Sequence, residues 1–266
     1  MHGLHFTLRP LSAFGGPLKG DTLFGQLCWA LRNRYGHAAL VEWLEGYGQG
    51  APFLVCSDAF PAGYLPRPAL PLHHFTALNE DDRKAIKRRR WLPHDALSQP
   101  VSQWLAQCQS EQQVFDHLGL AEIAGRVSDH PGNNISENKI PEKGAAKRLS
   151  RVHPQPHNSL SRLTGSTGTG AFAPYSLEQH WFPRGLTWDV YCLVDEARFL
   201  VEELVQALTD LGQIGYGRDA SIGLGKFAVE NYQPWHWPTV ANANACFTLA
   251  PCAPQALAFN PQRSHY

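Results

Sequence analysis

The 266-residue chain predicts an α+β fold: a ferredoxin-like βαββαβ core with a long helical and loop insertion and a glycine-rich loop. Three observations predict it. Strand-like and helix-like patterns run in the order strand, helix, strand, insertion, strand, helix, strand. Each half of that order carries one long helix with a single apolar stripe. The residues between the halves, from about 77 to 150, are rich in charge, glutamine and asparagine and poor in strand signal, which marks an insertion.

The first element is Leu4-His5-Phe6-Thr7-Leu8-Arg9, whose apolar and polar residues alternate as in a half-buried strand. A glycine-rich turn over 15–20 leads to Asp21, the predicted N-cap of a helix. In that helix Phe24, Leu27, Cys28, Leu31 and Tyr35 recur at helical spacing, and Gly36 closes it. A second helical stretch, Ala38 to Tyr47, aligns Leu40, Trp43, Leu44 and Tyr47. Phe53 to Cys56 reads as a buried strand, and Tyr64-Leu65-Pro66-Arg67-Pro68 as an extended arm, because its prolines exclude helix. The insertion holds a charged helix from Glu80 to Trp91 and a strong turn at Pro131-Gly132-Asn133-Asn134. Order resumes with the strand Thr187 to Val194, then a helix whose stripe Leu200, Leu204, Leu208, Leu211 ends at Gly212. A glycine-rich loop, 215–225, and the strand Lys226 to Val229 follow. The segments are 1–76 and 151–233 for the two parts of the core, 77–150 for the basic insertion and 234–266 for a proline-rich tail.

Lysine plus arginine equals aspartate plus glutamate at 23 each, so the formal net charge is zero. That balance argues against a binder driven by a global basic excess and leaves local patches open. Residues 83–90 hold six bases (Arg83, Lys84, Lys87, Arg88, Arg89, Arg90) and no acid. Residues 139–162 hold six bases (Lys139, Lys143, Lys147, Arg148, Arg151, Arg162) against Glu142, and 171–210 reverses the sign with seven acids against two arginines. A basic run is commonly a solvated helix face; two of them flanking glycine-rich loops also suit a nucleic-acid patch. Tyr64 and Trp91 are candidate stacking platforms or packing residues.

No run of eighteen apolar residues occurs and the start lacks an apolar signal core, so neither membrane association nor secretion is expected. Six scattered cysteines without CxxC spacing suit a reduced, cytoplasmic protein. No cofactor or metal is expected: the glycines of 215–225 follow a helix and precede a strand, the reverse of a dinucleotide fingerprint, and His94-Asp95 is a bare dipeptide without further ligands at metal spacing. The 215–225 loop is either an ordinary connection or a backbone surface that a phosphate approaches closely. The segment 157–170, with its hydroxyls, Asn158 and Arg162, is either a surface loop or a sugar-phosphate contact.

These segments resemble the repeat-associated mysterious proteins (RAMPs) of CRISPR systems, in the Cas-five-like group, and most closely the family of fourth subunits of the type III-A (Csm) effector complex. The resemblance rests on Lys19 to Gly25, Tyr64 to Pro68, Lys87-Arg88-Arg89, His157 to Gly165, and Gly215 to Gly225 followed by Lys226-Phe227. It implies a RAMP/RRM-like fold and a non-catalytic, hetero-oligomeric subunit that grips the 5′ repeat-derived tag of the crRNA. Such a subunit bridges the large polymerase-domain subunit and the adjacent backbone RAMP subunit. Carried onto this chain, the RNA contacts are Gly215, Gly217, Arg218, Ser221 and Gly223 of the loop, with His157, Asn158, Ser159 and Arg162. Lys19, Arg67, Lys87, Arg88 and Arg89 complete the set. Family members continue past the glycine loop into a further β-rich portion; here a tail with five prolines from 234 to 261 follows, and Asp219 stands where basic character would favour RNA. Two alternatives remain: a RAMP-type endoribonuclease with His37 or His157 as general base, and a protein–protein adaptor.

Overall fold

The computed structural model describes residues 1–75, 83–121, 147–243, 245–252, 260 and 262–265. The turn expected at 131–134 and the bases Lys139 and Lys143 lie outside them.

The alternation at the start produces β1 (His2–Pro10), with Leu4, Phe6 and Leu8 buried and His5 and Thr7 on the other face. It is flanked by β10 (Phe227–Pro234) and β9 (Trp188–Val194), and β2 (Leu54–Cys56) and the short β3 (Phe60–Pro61) pair with β9. The order is β10-β1-β9-β2, antiparallel at every pairing. A bulge between Thr7 and Leu8 shifts the register against β10.

Helices α1 (Gly20–Tyr35) and α6 (Val201–Ile214) follow β1 and β9 and share one core with the sheet. Leu23, Leu27 and Leu31 of α1 meet Leu204, Leu208 and Leu211 of α6 in it. Burial of each leucine contributes about 2 kcal/mol. Arg34 and Asp210 pair at 2.6 Å across the two helices.

Helix α1 begins two residues earlier than its sequence suggests. Lys19, in extended conformation, is the N-cap, and Asp21 lies in the first turn. The cap is supplied from a distance: Asp58 accepts the Gly20 N–H at 2.8 Å and pairs with Lys19 Nζ at 2.7 Å. Gly36 closes the helix as expected, and α2 (His37–Leu44) follows. Gly212 does not end α6. The helix continues to Ile214, with Gly215 as its C-cap. A Cβ at Gly212 would stand 2.3 Å from the Phe227 carbonyl oxygen, so this glycine admits β10 close to the helix.

A second layer comprises β4 (Tyr64–Pro66), β5 (Arg89–Pro93) and β6 (Gln109–Ser110) in one sheet. It carries the short helices α3 (Arg83–Arg88), α4 (Val101–Gln107) and α5 (Glu111–His117). The helix expected up to Trp91 therefore stops at Arg88. From Arg89 the chain bonds to β4 on one side and β6 on the other, and two partner strands outweigh local propensity. A hairpin of β7 (Arg151–His157) and β8 (Tyr175–Trp181) completes the sheets. No helix among the described residues is long and apolar enough to cross a membrane.

Candidate nucleic-acid interface

The glycine loop leaves α6 and returns to β10 through a narrow neck. Tyr216 N–H donates to the Gly225 carbonyl at 2.8 Å, and a Cβ at Gly225 would stand 2.0 Å from the Tyr216 oxygen. Only glycine permits that approach, at φ +75°.

Beyond the neck the loop is seated on the turn before α1 and on α1 itself. Gly225 N–H donates to the Ala13 carbonyl at 2.8 Å, and Gly217 N–H to Gln26 Oε1 at 3.0 Å. The buried Tyr216 hydroxyl accepts the Lys19 N–H at 2.9 Å and donates to the Pro17 carbonyl at 3.2 Å. Burial pushes this phenol above its ordinary pKa, which keeps it a donor.

At the tip, the N–H groups of Arg218, Asp219, Ala220 and Ser221 donate to no acceptor among the described residues. Asp219 takes a left-handed conformation, φ +67°, ahead of a short 3-10 turn at Ala220–Ile222. Successive free amides in such a turn attract anionic oxygens. The Asp219 carboxylate opposes that attraction, and the Arg218 guanidinium, 3.1 Å away, offsets it. Arg218 also donates through Nη2 to the Glu178 carbonyl of β8 at 3.1 Å, so its cation is held between loop and hairpin.

The hairpin is anchored a second time at its base, where Phe14 and His180 exchange backbone bonds of 3.0 and 2.8 Å. Its long turn carries Asn158, Ser159 and Arg162, with Asn158 and Arg162 exposed and Leu163 98% exposed. Within it Gly165 N–H reaches the Ser161 carbonyl at 2.8 Å, and the Thr164 and Ser166 hydroxyls meet at 3.0 Å. The His157 ring stacks on Tyr175, centroids 5.4 Å apart, and its buried Nε2 has no partner among the described residues.

The sequence-derived residues thus fall into two groups. The glycine loop, Lys19 and the hairpin with its 157–162 segment are joined by direct contacts. Arg67, Lys87, Arg88 and Arg89 belong to the second layer. There Arg67 donates to the Ile86 carbonyl at 2.9 Å and Arg89 to the Ala106 carbonyl at 3.3 Å, while Lys87 and Arg88 are exposed on the last turn of α3. A cleft of about 660 Å³ is lined from both layers, by Lys19, Asp58 and His180 and by Pro66, Trp91 and Glu111.

The two aromatics proposed for stacking are packing residues. Tyr64 is buried and Trp91 is half-buried against the main core. Their apolar neighbours along the chain do not distinguish packing from display. The middle of the sheet face opposite the helices is also covered. His5 on β1 and Tyr191 on β9 stack at 5.1 Å, but Trp235, Trp237 and His94 cover them, and Tyr191 is only 4% exposed. His5 Nε2 lies 2.7 Å from the buried Asp189, and His94 Nε2 contacts the Tyr191 hydroxyl at 2.6 Å. His94 therefore works in packing the two layers. Base stacking on His5 and Tyr191, in the manner of an RRM sheet, therefore has no room. His37 is exposed at the head of α2.

No family model matches this chain, and no curated protein matches it. Solved structures do. The chain is similar to one in a Csm1-Csm4 cassette in complex with pppApA, at 16% identity and a TM-score of 0.49, over 91% of this chain and 73% of that one. It is similar to a chain of the Csm3-Csm4 subcomplex of a type III-A CRISPR-Cas interference complex, at 13% identity and 0.44, over 90% and 70%. A third similarity is to a chain of the type III-B Cmr-beta bound to cognate target RNA, at 8% and 0.42, over 88% and 60%. Identities and scores this low describe a likeness alone.

Proposed function

We propose that this chain is a non-catalytic RNA-binding subunit of a type III CRISPR effector complex, with a ferredoxin-like core. The sheet order β10-β1-β9-β2, with helices after the first and third core strands, supports that core. In this reading the chain grips the 5′ tag of the crRNA and joins the large polymerase-domain subunit to the adjacent backbone RAMP subunit. One observation carries it: the glycine loop, with four consecutive free amides, is bound directly to the hairpin that displays Asn158 and Arg162. Amides, hydroxyls and basic groups on one surface suit a single-stranded sugar-phosphate chain.

The test is retention of crRNA by the purified complex. Ser221→Glu places a negative charge beside the free amides and Arg162→Ala removes an exposed cation. Together they are expected to expose the tag to nuclease while the complex still assembles. Full tag protection in the double variant would show the surface to be misassigned. Cleavage of repeat RNA by the isolated chain, lost in His157→Ala, would replace the non-catalytic reading with the endoribonuclease one.

A further inference from the structure

The outward face of α1 carries an aromatic that packing does not explain. Trp29 is 60% exposed, directly opposite the buried stripe of Leu23, Leu27 and Leu31. Its indole carries the Arg32 guanidinium, whose carbon is 5.0 Å from the ring centroid. Arg34 is paired with Asp210, whereas Arg32 has no ion-pair partner among the described residues. The rest of this face is Thr22, Gly25, Gln26 and Asn33, all polar or small. A Cβ at Gly25 would meet nothing within 4 Å. A mid-helix glycine costs about 1 kcal/mol relative to alanine, and no packing contact requires it here.

The position of this face is set by the glycine loop. Gln26, which accepts the Gly217 N–H, lies three residues before Trp29, about 4.5 Å along the helix axis. Gly217, the residue that leads into the loop tip, is therefore docked within one turn of the indole.

We propose that Trp29 and Arg32 form a stacking platform for a nucleobase of single-stranded RNA whose backbone runs over the glycine loop. This rests on the RNA-binding reading of that loop and extends it to a second contact. A flat indole with an uncompensated cation on it matches a base and its phosphate. A protein-docking patch would need contiguous apolar area, and the other exposed large apolar side chain of α1, Tyr35, stands six residues on, about 9 Å along the axis from Trp29.

The test uses the full chain and a fluorescein-labelled single-stranded RNA of about ten nucleotides, a span that covers loop and platform, read by anisotropy across a salt series. Trp29→Ala is expected to bind about tenfold more weakly with an unchanged salt slope, and Trp29→Phe to stay close to wild type. Arg32→Ala is expected to flatten the slope by about 0.7. On an abasic RNA, Trp29→Ala and wild type should bind alike. Circular dichroism melts of each variant establish that the fold is intact. Wild-type binding with an unaffected Trp29→Ala overturns the platform and leaves the loop reading standing. No RNA binding by the folded wild type overturns both. Normal RNA binding by Trp29→Ala with loss of a co-purifying subunit makes this a protein-docking face and also overturns the platform.

Discussion

Arg218 donates to the Glu178 carbonyl at 3.1 Å, across 40 positions of sequence, and thereby ties the glycine loop to the β7–β8 hairpin. The bond leaves Arg218 half-exposed and balanced by Asp219, so its weight is in positioning more than in stability.

Arg218→Ala is therefore expected to change global stability by less than about 1 kcal/mol while loosening the hairpin. Native-state hydrogen exchange should speed up across residues 175–181 and stay unchanged in α6. Equal protection in wild type and variant would show that the Phe14–His180 bridge alone holds the hairpin.

The two kinds of glycine in the loop should separate cleanly. Gly225→Ala forces a Cβ to 2.0 Å from the Tyr216 oxygen and is expected to destabilise the chain by about 3 kcal/mol or more. Gly217→Ala has open space around it and pays only for its φ of +77°, about 1–2 kcal/mol. Urea unfolding of both variants measures the difference.

Asp58 caps α1 from outside the helix, so Asp58→Ala should cost about 1–2 kcal/mol through the lost Gly20 contact. Lys19→Ala removes only the half-exposed partner and is expected to cost under about 1 kcal/mol. Thermal melts of both variants compare them; similar losses would assign the stabilisation to the ion pair instead of the cap.

Burial lowers the pKa of His94, opposed by the charge of Asp189 and Asp95 and reinforced by His5. The folded state therefore holds His94 neutral at pH values where the unfolded chain already binds a proton. Its contribution is complete above the ordinary histidine pKa of about 6.5 and is lost progressively as pH falls below that value. Melting temperature should drop between pH 7 and 5, and His94→Gln, which retains an acceptor for Tyr191, should make that drop shallower. An unchanged slope in the variant would place the pH dependence elsewhere.

The core helices and strands were legible because their signals are local. Alternation in Leu4 to Arg9, the leucine stripe of α6 and the stop at Gly36 depend on residues within a few positions of one another. The second layer was not legible. Arg89 and Arg90 continue a basic run that reads as helix, and they become strand only because Ser110 and the Arg67 N–H arrive from elsewhere. The glycine loop was singled out from composition, but nothing local distinguishes Gly225, which closes the neck, from Gly217, which sits in open space. Trp29 was missed as a display residue because its exposure depends on what packs, or fails to pack, against α1.

By itself the sequence determined the order of core elements, the apolar faces that unite them, and the division of a neutral total into basic and acidic stretches. Tertiary structure decided which of those stretches meet. It brought Tyr216 to Lys19 across 197 positions and Gly217 to Gln26 across 191, and it held Arg67 and Arg89 within the second layer. The physical reason is range. Propensity and periodicity act over one or two turns of chain, whereas a site is made by backbone groups that find partners only after the sheet has closed.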